Sequence, residues 1–230
     1  MGLKGSQEQV AQVEELLILD DHERQLVEEK GTTVHYSRGH IIFSANEIAD
    51  RVYYIQNGYV KIYQINDDGR EVTVGSIRNP GEMMALAETL YHSKRTFFAG
   101  AITDVDLVVL TKNQFIDLLN TEPRLAVKVA KLLGARMRAA ESLVYELVCW
   151  QAPGRLALLL LRISERCGID TDEGTRIKLR LTHSDIASMI GVTRQTVTSL
   201  LNTFRDEHSI DVRGREIIIK DPKKLASWVV

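Results

Sequence analysis

Residues 181–207 read LTHSDIASMIGVTRQTVTSLLNTFRDE, two short amphipathic runs on either side of one glycine. Thr182 stands three residues before Asp185, the spacing at which a hydroxyl and a carboxylate cap a helix reciprocally. A first helix therefore starts there, with Ile186, Met189 and Ile190 inward and Ala187 small where a second helix must pass close. Gly191 permits a sharp turn. Thr193 caps a second helix that buries Val197, Leu200 and Leu201 and leaves Arg194, Gln195, Thr198 and Ser199 outward near its start. Arginine pairs bidentately with guanine, and glutamine with adenine, in a major groove. The pattern thus predicts a helix-turn-helix. An ordinary helical hairpin with a solvated polar face is the competing reading. IDVRGREIIIK, residues 210–220, weighs against it, because Arg213-Gly214-Arg215 between two short strands makes a wing whose basic tip can lie along phosphates. Thr182, Ser184, Thr193, Arg194, Gln195, Thr198, Ser199, Arg213 and Arg215 are the candidate DNA-contacting residues.

Upstream, Ala152-Pro153-Gly154 is expected to end a helix and to act as a hinge or domain boundary. A helix over Arg155–Cys167 and a loop rich in Asp and Gly follow it. Before it, Ala126, Ala130, Leu133, Met137, Ala140, Val144 and Leu147 recur at alternating spacings of four and three. That is a heptad seam beginning just after Pro123, a residue tolerated in a first helical turn. A helix lying on its own β-domain would also carry an apolar stripe, but a period of 3.5 rather than 3.6 residues favours a dimer seam.

From about Thr32 to Leu110 the chain has β-branched and aromatic runs broken by Asn57-Gly58 and Asp68-Gly69, dipeptides suited to two-residue hairpins. Several short strands at this spacing predict a sandwich or barrel. A helical segment from roughly Gln7 to Lys30 precedes them, with a break near Asp20-Asp21.

The 230 residues carry a net charge of −2, unevenly spread. Residues 1–150 hold 16 Lys and Arg against 21 Asp and Glu, whereas residues 151–230 hold 13 against 10, so only the C-terminal part suits a polyanion. The longest apolar run, Leu156 to Leu161, is far too short to span a membrane. No secretion signal opens the chain, and Cys149 and Cys167 give neither a disulfide framework nor a zinc pattern. A reducing, cytoplasmic setting is expected, with both cysteines packed in helices. No Ser-His-Asp set, metal cluster or phosphate loop points to an enzyme.

On these residues the chain resembles the Crp/Fnr family of bacterial transcription regulators, from about Val34 to Lys220. GHIIFSANEIADRVYYIQNGYVKIYQINDDGREVTVGSI is similar to the family's effector-binding roll, the heptad helix to its dimerisation helix, and LTHSDIA followed by GVTRQTV to its DNA-reading pattern. TRQTVTSLLNTF most resembles that of the carbon-monoxide sensors. The resemblance implies an α+β fold with a cyclic-nucleotide-binding-like β-roll. It divides the chain into an N-terminal helical segment at 1–30, the roll at 31–120, the dimerisation helix at 121–151 and a winged helix-turn-helix at 152–230. The expected molecule is a homodimer that binds a two-fold symmetric operator in double-stranded DNA, works with RNA polymerase and has no membrane partner.

The effector is read from the same resemblance. Cyclic-AMP-binding members carry Gly-Glu followed by Arg-Ser in the roll; here Arg95-Thr96 matches the second pair, but Ala85-Leu86 stands at the first. The alternative, Gly81-Glu82, leaves a loop to Arg95 that is several residues too long. The adenine-reading pair corresponds to Ala140-Glu141, so cyclic AMP is not the expected ligand. Haem members place a Cys and a His where Ala85 and Ala87 stand, and iron–sulfur members need a cysteine cluster, so neither group is expected. His92 is read as a solvated loop histidine. Arg136 and Glu141 match an effector-binding pair on the long helix of the 2-oxoglutarate-sensing nitrogen regulators, and Arg95 matches an arginine of their roll. Two guanidiniums suit a small anionic metabolite, a dicarboxylate or phosphate. Against this stands a salt bridge from Arg136 across the dimer. Ala85, Leu86, Arg95, Thr96, Arg136 and Glu141 are the candidate effector-site residues, and a vestigial pocket that takes no ligand is the alternative function.

Overall fold

Tyr53 and Ile55 face one core while Val52 and Tyr54 face another, which is why this strand reads as a continuous apolar run rather than an alternation. It is β3 (Arg51–Asn57) in a computed structural model that describes residues 18–91 and 93–229. It lies in a sheet ordered β1-β8-β3-β6, with β1 Thr32–Tyr36, β6 Met83–Met84 and β8 Val105–Thr111. The second sheet is ordered β2-β7-β4-β5, with β2 Ile41–Phe43, β4 Val60–Ile65, β5 Glu71–Thr73 and β7 Phe98–Ala101. Phe43, Tyr53, Ile55, Val60, Ala99 and Leu107 fill the core shared by the two sheets. On the other face of β3 and β8, Val52, Tyr54, Val108 and Leu110 meet the helices α1 (Asp21–Lys30), α3 (Lys112–Thr121) and α4 (Pro123–Cys149). A short α2 (Leu86–Tyr91) follows β6.

Local chemistry sets these boundaries. Asp20 caps α1 by accepting from the Glu23 N–H at 2.8 Å while Glu23 accepts from the Asp20 N–H at 2.9 Å. The expected break near Asp20-Asp21 is therefore a helix start; the part of that segment before residue 18 lies outside the described residues. Asn57-Gly58 does not make the expected hairpin. β3 and β4 belong to different sheets, and the turn carries the chain between them. Gly58 has φ +84°, and a Cβ there would stand 2.2 Å from the Asp104 carbonyl oxygen. Asp68-Gly69 does lie in the turn joining two neighbouring strands, β4 and β5.

The long helix carries two stripes. Leu125, Val129, Leu132 and Ala135 are buried against its own unit, and fully covering each of the larger ones stabilises by about 1.5–3 kcal/mol. Of the heptad residues, Leu133 packs against the same core, whereas Met137, Val144 and Leu147 are exposed. The own-domain reading thus holds for the first half of the helix, which includes Leu133, and the later heptad positions are left open to solvent.

The described residues cluster into two units: 18–64 with Val74–Ala140, and Ile65–Thr73 with 141–229. In the second, α5 (Ala152–Cys167), α6 (His183–Ile190) and α7 (Arg194–Asp206) bury Leu156, Leu160, Ile186, Ile190, Val197, Leu201 and Phe204. A sheet ordered β11-β12-β10-β9 completes it, from β9 Gly168–Thr171, β10 Gly174–Ile177, β11 Ile210–Arg213 and β12 Glu216–Ile219, followed by α8 (Pro222–Ala226).

Three expectations need correction here. Ala152-Pro153-Gly154 does not end a helix: α4 stops at Cys149, and these residues open α5 with proline in its first turn. The junction is also braced. Arg155 donates to the Trp150 carbonyl at 2.7 Å and to the Ile190 carbonyl at 3.0 Å, and Arg162 forms two bonds, 3.0 and 2.6 Å, to the buried Glu146. Gly154 serves close approach, since a Cβ would lie 2.7 Å from the Trp228 carbonyl oxygen. The Asp- and Gly-rich loop is the β9–β10 hairpin. Cys167 is buried as expected, but Cys149 is exposed, on the side of the last turn of α4 that carries the exposed Val148 rather than the buried Glu146.

Candidate functional site

Thr182 accepts from the Asp185 N–H at 3.1 Å, and its hydroxyl donates to the Asp185 carboxylate at 2.6 Å, so the cap of α6 forms as the spacing requires. Gly191 takes φ +66°, ψ 44°, and the chain turns at once into α7, which Thr193 caps through the Thr196 N–H at 3.1 Å. Burial of Val197, Leu201 and Phe204 fixes which side of α7 faces water. Arg194, Gln195 and Ser199 lie on that exposed side, and Ser184 is exposed on α6. Among the described residues none of these four has a side-chain partner, so their donors and acceptors are available to a base edge or a phosphate.

The other nominated positions are spent differently. Thr182 and Thr193 are caps. Thr198 donates to the Arg194 carbonyl at 3.1 Å and meets His183 Nδ1 at 2.8 Å, so its hydroxyl serves the helix pair rather than pointing away from it. At the wing tip Arg213 is paired with Glu173 at 2.8 Å and Asp211 at 3.0 Å. The hydrogen bond it donates to Glu173 comes first among the causes that hold its guanidinium protonated even beyond the ordinary arginine range. Glu173 belongs to the β9–β10 turn, which the sequence reading took for a loop. Arg215 is exposed and without a side-chain partner among the described residues, which makes it the better-placed wing cation. His183 was not nominated: nothing in its spacing shows that its ring meets Thr198.

In the first unit, Arg95 is 3 % exposed. Its guanidinium donates to the Ala85 carbonyl at 3.1 Å, to Thr89 Oγ1 at 3.2 Å and to the Arg51 carbonyl, and it stacks over Phe43 at 4.7 Å. No carboxylate lies within 4.0 Å of it among the described residues, and burial lowers its pKa, with weaker opposing contributions from Tyr53 and nearby acids. Ala85 has φ +66°, a conformation glycine takes freely.

Arg136 reaches the same short segment from α4. It donates to the Met83 carbonyl and stands 3.6 Å from the Glu82 carboxylate, which is 1 % exposed. Arg136 thus has an acidic partner within the chain. Glu82, set aside in the sequence on loop length, is the buried acid facing this arginine. Both nominated arginines thus grip the stretch from Glu82 to Thr89. The remaining candidates do not join them. Leu86 is 1 % exposed within the apolar core, while Thr96 and Glu141 are exposed on their elements. His92 lies outside the described residues. Among the described residues no helix is long and apolar enough to cross a membrane.

Residues 33–122 match the cyclic nucleotide-binding domain family, and residues 154–228 match the Crp-like helix-turn-helix domain family. The chain is 30% identical over 193 residues to the CRP-like cAMP-activated global transcriptional regulator of Mycobacterium tuberculosis, covering 84% of this chain and 86% of that one. It is 31% identical over 192 residues to the global nitrogen regulator of Synechocystis sp., covering 83% and 85%. Among solved structures, FixK2 from Bradyrhizobium japonicum superposes with a TM-score of 0.77 at 22% identity, over 87% of this chain and 98% of that one, a likeness of fold.

Proposed function

Because the chain belongs to the Crp/Fnr family of DNA-binding transcription regulators and not to a family of enzymes, we propose that it acts as a cytoplasmic homodimer on a two-fold symmetric operator, with RNA polymerase as its further partner. The dimer forms through the α4 face that carries Met137, Val144 and Leu147. Each reading head presents Arg194, Gln195 and Ser199 to the major groove, and Ser184 and Arg215 lie against phosphates. Thr182, Thr193 and Thr198 hold the heads in shape.

The effector is a small anion, with 2-oxoglutarate as the first candidate. The supporting observation is Arg95, a buried guanidinium with no carboxylate within salt-bridge distance, on the same segment that Arg136 holds from α4. An anion entering there displaces Glu82 from Arg136, and it changes DNA affinity to the extent that it binds the two conformational states unequally. Leu86, buried where the cyclic-AMP members use a glutamate, disfavours a ribose.

Calorimetry on the full chain tests this, with 2-oxoglutarate as the titrant and cyclic AMP as the expected negative. Binding of 2-oxoglutarate should be lost in Arg136→Ala; unchanged affinity there refutes the site. Arg95→Lys, which keeps the charge, is the safer second variant. A second reading, an effector-independent regulator with a vestigial pocket, is favoured by Arg95 spending its donors on its own chain. Footprinting with and without ligand separates the two.

A further inference from the structure

We propose that Tyr53 is a further effector-contacting residue: its hydroxyl donates to the oxygen next to the carboxylate that Arg95 holds, so the site selects a 2-oxo acid over a plain dicarboxylate. This selection rests on the anion site proposed above and gives it a second donor.

Tyr53, on β3, turns into the core between the two sheets of the roll beside Phe43 of β2, with the ring centres 5.6 Å apart. The Arg95 guanidinium carbon lies 4.7 Å from the Phe43 ring centre and 6.0 Å from that of Tyr53. These three distances close a triangle, so the phenol and the guanidinium belong to one cluster. Tyr53 is 4 % exposed. A buried tyrosine hydroxyl ordinarily finds a hydrogen-bond partner, and leaving that bond unmade is costly. Among the described residues the Tyr53 hydroxyl has none. A buried polar group in that condition marks a place where a ligand or an ordered water completes the site.

Arg95 is only partly satisfied. A guanidinium has five N–H donors. Nη1 spends both of its own, on the Ala85 carbonyl and Thr89 Oγ1, and Nη2 spends one, on the Arg51 carbonyl. Nε and the second hydrogen of Nη2 have no partner among the described residues. Nε and Nη2 share one edge of the guanidinium, the fork that takes a carboxylate. The Tyr53 phenol keeps its proton: burial comes first among the causes and raises its pKa, and the charge of Arg95 opposes this more weakly. It therefore acts as a donor, and its complement is an oxygen that accepts.

In a 2-oxo acid the carbonyl oxygen sits on the carbon bonded to the carboxylate. With the carboxylate on the Arg95 fork, that oxygen is the first acceptor beyond it, on the cluster that Tyr53 completes. Glutarate offers a methylene at that place and leaves the buried hydroxyl without a partner. A 2-amino acid offers an ammonium, which the guanidinium repels. A donor placed in this way discriminates against the analogue that lacks the acceptor. The far carboxylate of a 2-oxo diacid remains for Arg136.

The test titrates the full chain and Tyr53→Phe with 2-oxoglutarate and with glutarate by calorimetry. Wild type should bind 2-oxoglutarate about tenfold tighter than glutarate, the worth of one hydrogen bond. Tyr53→Phe should lose that preference by weakening for 2-oxoglutarate alone, with its glutarate affinity unchanged. Thermal unfolding of the ligand-free variant should have its midpoint at the wild-type value or above it, because the hydroxyl removed has no partner in the protein. The role of Tyr53 is overturned, and the anion site left standing, by any of four results: no wild-type preference for 2-oxoglutarate, an undiminished preference in Tyr53→Phe, equal weakening for both anions, or a lowered unfolding midpoint. A wild-type chain that binds neither anion removes the anion site itself, and this role with it.

Discussion

Met137→Glu places a carboxylate in the centre of the exposed apolar face of α4, and the magnitude of its effect follows from how much of Met137 is open. Fully covering a methionine stabilises by about 1.5–3 kcal/mol. Met137 is 62 % exposed, so covering it on dimerisation adds about 1–2 kcal/mol per copy, or about 2–4 kcal/mol for the pair. The glutamate forfeits that gain and adds the cost of burying two facing charges, roughly 1 kcal/mol or more each. A net loss of about 3 kcal/mol or more weakens the dimer at least about 100-fold. Light scattering over a dilution series should show wild-type dimer and mutant monomer at the same micromolar concentrations. Thermal unfolding of the mutant monomer should be intact, since Met137 touches little of its own unit, whereas Leu132 is buried there. Equal dimerisation of mutant and wild type refutes the seam.

Gly154→Ala should destabilise the C-terminal unit by about 1–3 kcal/mol, read from denaturant unfolding, because its Cβ meets the Trp228 carbonyl oxygen at 2.7 Å. Asp20→Ala should cost about 1 kcal/mol through the lost cap of α1. The Asp20 carboxyl is held below the usual carboxylate range chiefly by the hydrogen bond from the Glu23 N–H. Its contribution is therefore complete above the unfolded value of about 4 and is lost as pH falls through the lower folded value. Asp20→Asn should keep much of the cap and lose that pH dependence, while a wild-type increment that persists at the most acid pH counts against the assignment.

What could be read in the sequence was what depends on neighbours a few residues away. The caps at Thr182 and Thr193, the turn at Gly191 and the wing strands are set within four residues, and all lie where the spacing puts them. Asn57-Gly58 was misread because a turn dipeptide specifies a φ, not which sheet the next strand joins. The β9–β10 hairpin was missed because its strands are short and mostly polar, with only Ile177 buried among Gly174–Ile177. The heptad positions were legible, but the second stripe at Leu125, Val129 and Leu132 was not separated from them, since both share one helix. The sequence singled out the two arginines but not their company. That Glu82 faces Arg136 and that backbone carbonyls surround Arg95 are long-range facts, carried by no local pattern.

The most direct test of the account is selection of the full chain against random duplex DNA, run in parallel with Arg194→Ala. The account predicts enrichment of a two-fold symmetric sequence with half-site centres about one helical turn apart, roughly 34 Å. Arg194→Ala should relax preference at one guanine per half-site and cost about 1–3 kcal/mol there. A wild-type pool with no enriched sequence, or a mutant pool with the same preference at every base, would contradict it.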